Sequence, residues 1–380
     1  MKVTHRPYTQ YCANLRQSSL LRHLPRYQSY AYDFSSNDYL GLSQHPALIR
    51  AATLAANTQG TGAKTSRLVA SCQSQIFDLE AQIAHDKNAM SALVFATGYQ
   101  ANISVLSALL DSKALGATPL VFADRLNHAS MHVGCQLANA KQQRYHHLDY
   151  DHLAWLLAKT QSVKQPRFIL TESIFGMDGD VACLPSLIRL AKQYDALLYV
   201  DEAHATGLFG HKGYGLTSDY GDDVDVSMGT FSKALGSQGA YITCAKPLKR
   251  YLINRANGFI YSTAPSPVQI ALMQTAWELI PSLQPQAKVV LERADWLRDR
   301  LHAQGVKTAN SSTHIIPLIL QTPTSTLTAQ RALAKRGIRV SAIRPPSVPT
   351  TQSRLRIALN PAHDEAALEV LLEALLSNLT

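Results

Sequence analysis

The sequence predicts an α/β protein: a mostly parallel central sheet with helices on both faces, followed by a smaller C-terminal α/β domain. Three observations predict it. Short apolar runs alternate with amphipathic stretches through the middle of the chain, the pattern of βα units feeding a parallel sheet. Those runs are apolar throughout, as strands covered on both faces must be. From about Pro281 the texture changes to a long charged helix and a second, shorter series of elements.

Taken in order, residues 1–40 read as an N-terminal arm. It carries Arg6, Arg16, Arg22 and Arg26 and no acid before Asp33, a trait shared with organelle transit peptides, and is read here as a basic arm lying on the body of the protein. Residues 41–280 form the large domain. Its strand candidates are 93–96, 120–123, 168–171, 197–200, 224–228 and 241–244. Helices fall at 99–110, opening after Gly98, at 152–160, and at 184–194 with Pro185 near its start, where a proline is tolerated. Pro265, Pro267, Pro281 and Pro285 mark the crossover. Residues 281–380 then read as helix 286–304, strand 315–320, helix 327–336, strands 338–343 and 355–359, and a closing helix 364–379. No internal repeat or low-complexity tract interrupts the chain.

Composition bounds the function. A chain of 380 residues suits one large domain plus a smaller one, at roughly 150 residues per domain. With 46% apolar and 17% charged residues it can bury a large core, which excludes a disordered or fibrous protein. The net charge of +9 favours an anionic partner, whether a phosphate-bearing cofactor, an acidic carrier protein or a nucleic acid. Cys12, Cys72, Cys135, Cys183 and Cys244 are scattered and odd in number, with no CxxC pair. They suggest neither a disulfide framework nor a zinc site, so no metal is expected and a reducing, cytoplasmic compartment fits. No apolar run reaches the roughly 18 residues of a membrane span, and no hydrophobic leader follows the N-terminal arginines.

In open α/β sheets, ligands bind outside the carboxyl ends of the strands. There the chain places Asp124 and His128, then Glu172, then Asp201 and His204, then Thr230 and Lys233. One such residue after a strand is ordinarily a cap or a solvated side chain; four strand ends agreeing point to a site. An acid, two imidazoles, a hydroxyl and a lysine around one crevice suit pyridoxal 5′-phosphate (PLP) better than hydrolysis. Lys233 supplies an amine that can condense with the cofactor aldehyde, helped by desolvation. Asp201 is the candidate carboxylate for the pyridine nitrogen, keeping it protonated so that the ring accepts electrons. Gly98 and Tyr99 at a helix start, with the Thr230 hydroxyl, are candidates for the cofactor phosphate.

These residues sit in blocks that carry a family resemblance. SSNDYLGLS (35–43), ATGYQAN (96–102), DRLNHAS (124–130), MDGD (177–180), VDEAHATG (200–207) and GTFSKALGSQGA (229–240) resemble the α-oxoamine synthases, PLP-dependent transferases of fold type I with an aspartate aminotransferase-like architecture. The match runs from about Ser35 to the last helix. AIRPPSVP (342–349) and SRLRIAL (353–359) most resemble the branch that joins L-alanine to a pimeloyl thioester in biotin assembly. The sibling branch that joins glycine to acetyl-CoA usually lacks the Arg-Pro-Pro run and stays as the alternative.

Position by position, the resemblance implies that Lys233 holds PLP, Asp201 pairs with the ring nitrogen, His204 bonds the phenolic oxygen and His128 stacks on the ring, with Thr230, Gly98 and Tyr99 completing the cofactor site. Asn37 and Arg356 would grip the amino-acid carboxylate, where an arginine fork binds both oxygens. Arg22 stands either at the distal end of the acyl substrate or as an ordinary surface arginine, and Ser347 stands near the acyl group. Ser262 and Thr263, in YSTAP (261–265), would reach the phosphate of a neighbouring subunit, since these enzymes are homodimers with shared sites. The acyl carrier is either coenzyme A or acyl carrier protein; a charge of +9 is compatible with the acidic carrier.

Two departures stand out. Gly176 precedes MDGD where the family usually has a serine, with Ser173 or a water as the replacement, and Lys64 in GTGAKTS (60–66) occupies a position that is normally small. A rival reading takes DEAH (201–204) as the helicase box of that name. It needs a phosphate loop, and GTGAKTS is the nearest match, with Ala63 and Thr58 where glycines belong.

Overall fold

The computed structural model describes residues 2–26, 28–69 and 74–379, so Cys72 and Tyr27 lie outside the described residues. The chain forms two compact units. The larger contains residues 37–175 and 181–288, and the smaller contains residues 1–36, 176–180 and 289–380.

The larger unit is built on seven strands: β1 (Ser91–Phe95), β2 (Leu120–Asp124), β3 (Gln142–Tyr145), β4 (Arg167–Glu172), β5 (Ala196–Asp201), β6 (Val226–Thr230) and β7 (Ala240–Cys244). Their order across the sheet is β1-β7-β6-β5-β4-β2-β3. All run parallel except β7, which is antiparallel to both neighbours. Period-two alternation divides β2, β4 and β5 between two cores. Leu93, Val121, Phe168, Leu170, Tyr199 and Met228 pack on one face, while Phe122, Ile169, Leu198 and Val200 pack on the other. Helix α1 (Gly98–Leu109) covers the first face through Val105, Leu106 and Leu109. Helix Leu184–Gln193 covers the second through Leu187 and Leu190.

Six of these strands match the sequence reading to within a few residues. The difference at β6 is a shift of two, because the strand runs on to Thr230. Strand β3 carries no apolar signal: its residues are Gln142, Gln143, Arg144 and Tyr145, and only the tyrosine is buried. As the sheet's edge it pairs with β2 alone, and an edge needs little apolar cover.

The smaller unit has a three-stranded antiparallel sheet, Ser341–Ile343, Ser353–Ala358 and Ile315–Gln321 in that order, with helices Pro323–Lys335 and Glu365–Leu379. The single strand expected over 338–343 is two. Ile338–Arg339 pairs in parallel with Tyr32–Asp33, and Ser341–Ile343 pairs with Ser353–Ala358. The run therefore changes partner at Val340, a switch that apolar content does not encode. The MDGD turn belongs to this unit: the Thr313 hydroxyl donates to the Gly179 carbonyl at 2.9 Å, and Arg354 pairs with Asp178. Gly179 has φ +71°, and a Cβ there would lie 2.1 Å from the Ile315 carbonyl oxygen, so only glycine fits.

A buried histidine ties the ends of this unit together. His363 stacks on Phe34 at 3.9 Å, its Nε2–H donates to the Asp33 carbonyl at 3.0 Å, and its Nδ1 accepts the Asn360 N–H at 3.1 Å. That arrangement specifies a neutral ring, and burial pulls its pKa from 6.5 down to about 4. An unfolded chain takes up this proton near pH 6.5 and the folded one only near pH 4, so stability is full above that window and falls as the pH drops through it. The loss should approach about 3 kcal/mol at the acid end. Urea titrations of His363→Asn between pH 7 and 4 should show a flatter acid limb than the parent; equal slopes would assign the acid sensitivity elsewhere.

Among the described residues, no helix is long and apolar enough to cross a membrane.

Candidate active site

The carboxyl ends of β2, β4, β5 and β6 in the larger unit gather the polar residues that the sequence singled out. Two hydrogen-bonded networks organise them.

The first starts at Lys233, just after β6. Its Nζ lies 2.8 Å from His204 Nε2; His204 Nδ1 lies 2.8 Å from the Tyr39 hydroxyl, which donates to Asn37 Oδ1 at 3.0 Å. Since Tyr39 spends its one proton on Asn37, it accepts from His204 Nδ1–H, which leaves Nε2 as the acceptor for the lysine amine. His204 and Tyr39 are buried, Lys233 is half-buried and Asn37 is exposed.

The second is centred on Asp201, which ends β5 and is 3% exposed. Its Oδ2 accepts from Asn102 Nδ2 at 2.7 Å and its Oδ1 from the Ala203 N–H at 2.9 Å. Asn102 also donates to Ser130 Oγ at 2.9 Å and accepts from the Tyr199 hydroxyl at 2.7 Å. Ser130 Oγ lies 2.7 Å from His128 Nδ1, which also takes the Ser130 N–H at 3.3 Å as the cap of helix Ala129–Leu137. With both contacts donating, Nδ1 is unprotonated. Desolvation by the surrounding protein lowers the His128 pKa, and the nearby Lys233 charge lowers it further against the opposing pull of Asp201. The ring is thus neutral at pH 7, and the residue is exposed.

Helix α1 opens beside these networks. Thr97 Oγ1 caps it by accepting the Gln100 N–H at 3.1 Å, leaving the amides of Gly98 and Tyr99 at its start. A Cβ on Gly98 would come to 3.7 Å from Thr230 Oγ1, so the helix start and that hydroxyl are neighbours. Thr230 Oγ1 also contacts Ser232 Oγ at 2.8 Å and donates to the Gly239 carbonyl at 2.9 Å. Tyr99 is half-exposed, its ring edge-on to His128 with centroids 6.4 Å apart.

Ser262 and Thr263 line a small recess with Arg67, Gln100 and Gly258. In the smaller unit, Arg356 donates through Nε to the Gly176 carbonyl. Gly176 is thus a backbone acceptor for that arginine, while Ser173 is buried with its hydroxyl unpartnered. Arg22 is exposed and donates to the Pro345 carbonyl at 3.2 Å, and Ser347 is exposed in the turn closed by its N–H on the Arg344 carbonyl at 3.1 Å.

Asn102, Tyr39 and Ser130 hold the named residues and were not among them. Each lies inside a quoted block, and Asn102 follows Gly98 by four residues, one helical turn along the same face. That spacing was the available signal.

The phosphate-loop reading of 60–66 fails on topology. The segment follows helix Pro46–Gln59 rather than a strand, no helix opens at Thr65, and Lys64 sits at φ +67°, where a small residue is favoured. Glu202 of the DEAH run is buried in an ion pair with Lys87. Away from the crevice, His146, Asp149 and His152 bring ligand-type atoms within 4.8 Å of one another. They are already engaged: Asp149 caps the helix at the His152 N–H (2.8 Å), and His152 Nδ1 accepts the His146 N–H (3.0 Å).

The crevice residues fit PLP by their donor set. A half-buried lysine amine faces an imidazole acceptor, a buried carboxylate is held by two donors, a neutral imidazole is exposed, and a capped helix start adjoins a hydroxyl. The aminotransferase class I and II family matches residues 31–375. The 8-amino-7-oxononanoate synthase of Gluconacetobacter diazotrophicus is 47% identical over 345 residues, covering 90% of this chain and 86% of that protein. A serine palmitoyltransferase solved with PLP superposes with a TM-score of 0.88 at 23% identity, covering 100% of this chain and 98% of that one. The 8-amino-7-oxononanoate synthase structure from Francisella tularensis gives 0.77 at 24% identity, over 92% and 97%. The two structures establish the fold, and the sequence relative bears out the family read from the motif blocks. The chain therefore belongs to the aminotransferase class I and II family and, within it, to the 8-amino-7-oxononanoate synthases.

Proposed function

We propose that the protein condenses L-alanine with a pimeloyl thioester, releasing carbon dioxide and the free thiol and yielding 8-amino-7-oxononanoate for biotin synthesis. The observation that carries this reading is the continuous chain from Lys233 Nζ through His204 to Tyr39, beside Asp201, in a member of this family. PLP, when bound, supplies the electron sink that makes the alanine α-carbon acidic.

The chain's own groups do the rest. The α1 amides of Gly98 and Tyr99 would hold the phosphate, joined by the Thr230 hydroxyl once its proton turns from the Gly239 carbonyl. Asp201, oriented by Asn102, presents a fixed negative charge to the ring nitrogen. His128 stays neutral and offers its flat face. His204, its Nδ1–H committed to Tyr39, would meet the phenolic oxygen through Nε2, as the acceptor of that group's proton. Lys233 Nζ takes the proton from the α-carbon and returns one after decarboxylation. Arg356 is the proposed partner of the amino-acid carboxylate, a part also assigned to Asn37. Arg22 and Ser347 are assigned to the acyl substrate. Ser262 and Thr263 are assigned to the phosphate of a second copy in a cytoplasmic homodimer.

The test is to assay purified protein with L-alanine or glycine against pimeloyl and acetyl thioesters, the pimeloyl group on coenzyme A and on acyl carrier protein. Turnover is expected with alanine and the pimeloyl chain. A preference for glycine and acetyl-CoA would make the protein a glycine C-acetyltransferase instead. Tyr39→Phe removes the acceptor that fixes the His204 tautomer. One net hydrogen bond of about 1 kcal/mol predicts a fall in kcat of about five- to tenfold with little change in KM; an unchanged kcat would dismiss the relay.

A further inference from the structure

Glu172, a buried acid at the crevice, has no part in the mechanism above. Glu172 ends β4 directly opposite Asp201 in the parallel register of β4 and β5, and the two residues are 5% and 3% exposed. In-register residues of a parallel pair project to the same side of the sheet, so two carboxyl groups share one patch of interior. The charges that act on Glu172 are Asp201 from β5 and Asp124 from β2, which oppose its ionisation, and Lys233 from the segment after β6, which with the His128 backbone N–H favours it. Side by side in a low-dielectric site, two such carboxyls do not both ionise.

The donors decide which one carries the charge. Asp201 receives the Asn102 amide on one oxygen and the Ala203 N–H on the other, and both bonds favour its anion. We propose that Glu172 is a neutral carboxylic acid that leaves Asp201 as the single negative charge available to a bound pyridine ring. Glu172 is thereby a positioning residue, acting through Asp201. Burial first, and the Asp201 charge second, push its pKa well above the ordinary carboxylate range, which agrees. The proposal rests on the assignment of Asp201 made above, yet its test needs neither cofactor nor turnover.

The experiment is infrared spectroscopy of the apoprotein, unlabelled and labelled with 13C at the glutamate carboxyls. At pH 7 the parent should show a protonated-carboxyl stretch that shifts with the label and is missing from E172Q. In D201N, where the neighbouring charge is gone, the band should titrate at lower pH than in the parent, because one of the two causes that keep Glu172 protonated has been removed. A parent without a glutamate carboxylic-acid band at pH 7 overturns the proposal, and so does a D201N band that titrates as in the parent. If E172Q does not fold, the parent and D201N spectra decide. A protein that proved inactive with alanine and pimeloyl thioesters would leave these spectra unaffected.

Discussion

Lys233→Ala is expected to abolish turnover, by about 10⁴-fold or more, while the protein stays folded. The amine would serve twice in the proposed chemistry, as the group that would hold the cofactor at its aldehyde carbon and as the base at the α-carbon, and alanine replaces neither role. The fold should tolerate the change. Lys233 is half-buried, lies after β6 rather than within it, and its contact at His204 Nε2 is backed by the Tyr39 hydroxyl on the opposite nitrogen. Circular dichroism and thermal melts should resemble those of the parent. Substantial product from this variant would reject the assignment of Lys233. Borohydride reduction of the parent holoprotein, followed by digestion and mass spectrometry, should place the cofactor's mass on the peptide containing residues 229–236.

Asp201→Asn is the second large effect. Both Asp201 oxygens accept from fixed donors, Asn102 Nδ2 and the Ala203 N–H. An asparagine there removes the charge and turns an amide N–H₂ toward one of those donors, so the side chain must rotate or leave a buried donor unsatisfied. Removing one partner of a buried, hydrogen-bonded charge pair typically costs about 2–5 kcal/mol, which predicts a loss of roughly 30- to 5,000-fold in kcat and weaker cofactor retention. Steady-state kinetics and equilibrium dialysis with PLP measure the two effects. An unchanged rate would count against the pairing of Asp201 with the ring nitrogen.

Both predictions stand on residues legible in the amino-acid order, for an identifiable reason. A parallel strand covered on both faces must be apolar for its whole length, so Asp201 or Glu172 at its end breaks the pattern visibly. Lys233, His128 and His204 follow such ends within a few residues, and the blocks around them are short enough to be read as units. Other features left no such trace. Strand β3 is an edge with a polar sequence. The partner switch at Val340 depends on the Tyr32–Asp33 strand, which lies in the N-terminal arm far away along the chain. The left-handed backbone at Lys64 gives that residue's setting a conformational description that composition could not supply.

The sequence by itself determined the class of fold, the strand ends where chemistry gathers and the identity of the reactive groups, because burial periodicity and residue chemistry are local properties. Tertiary structure alone decided how those groups are held: Asn102 on Asp201, Ser130 on His128, Tyr39 on His204 and Glu172 against Asp201. Most of these relations join residues on different elements. Hydrogen bonding and low-dielectric coupling depend on distances of a few ångströms, which exist only after the sheet has brought its strand ends together.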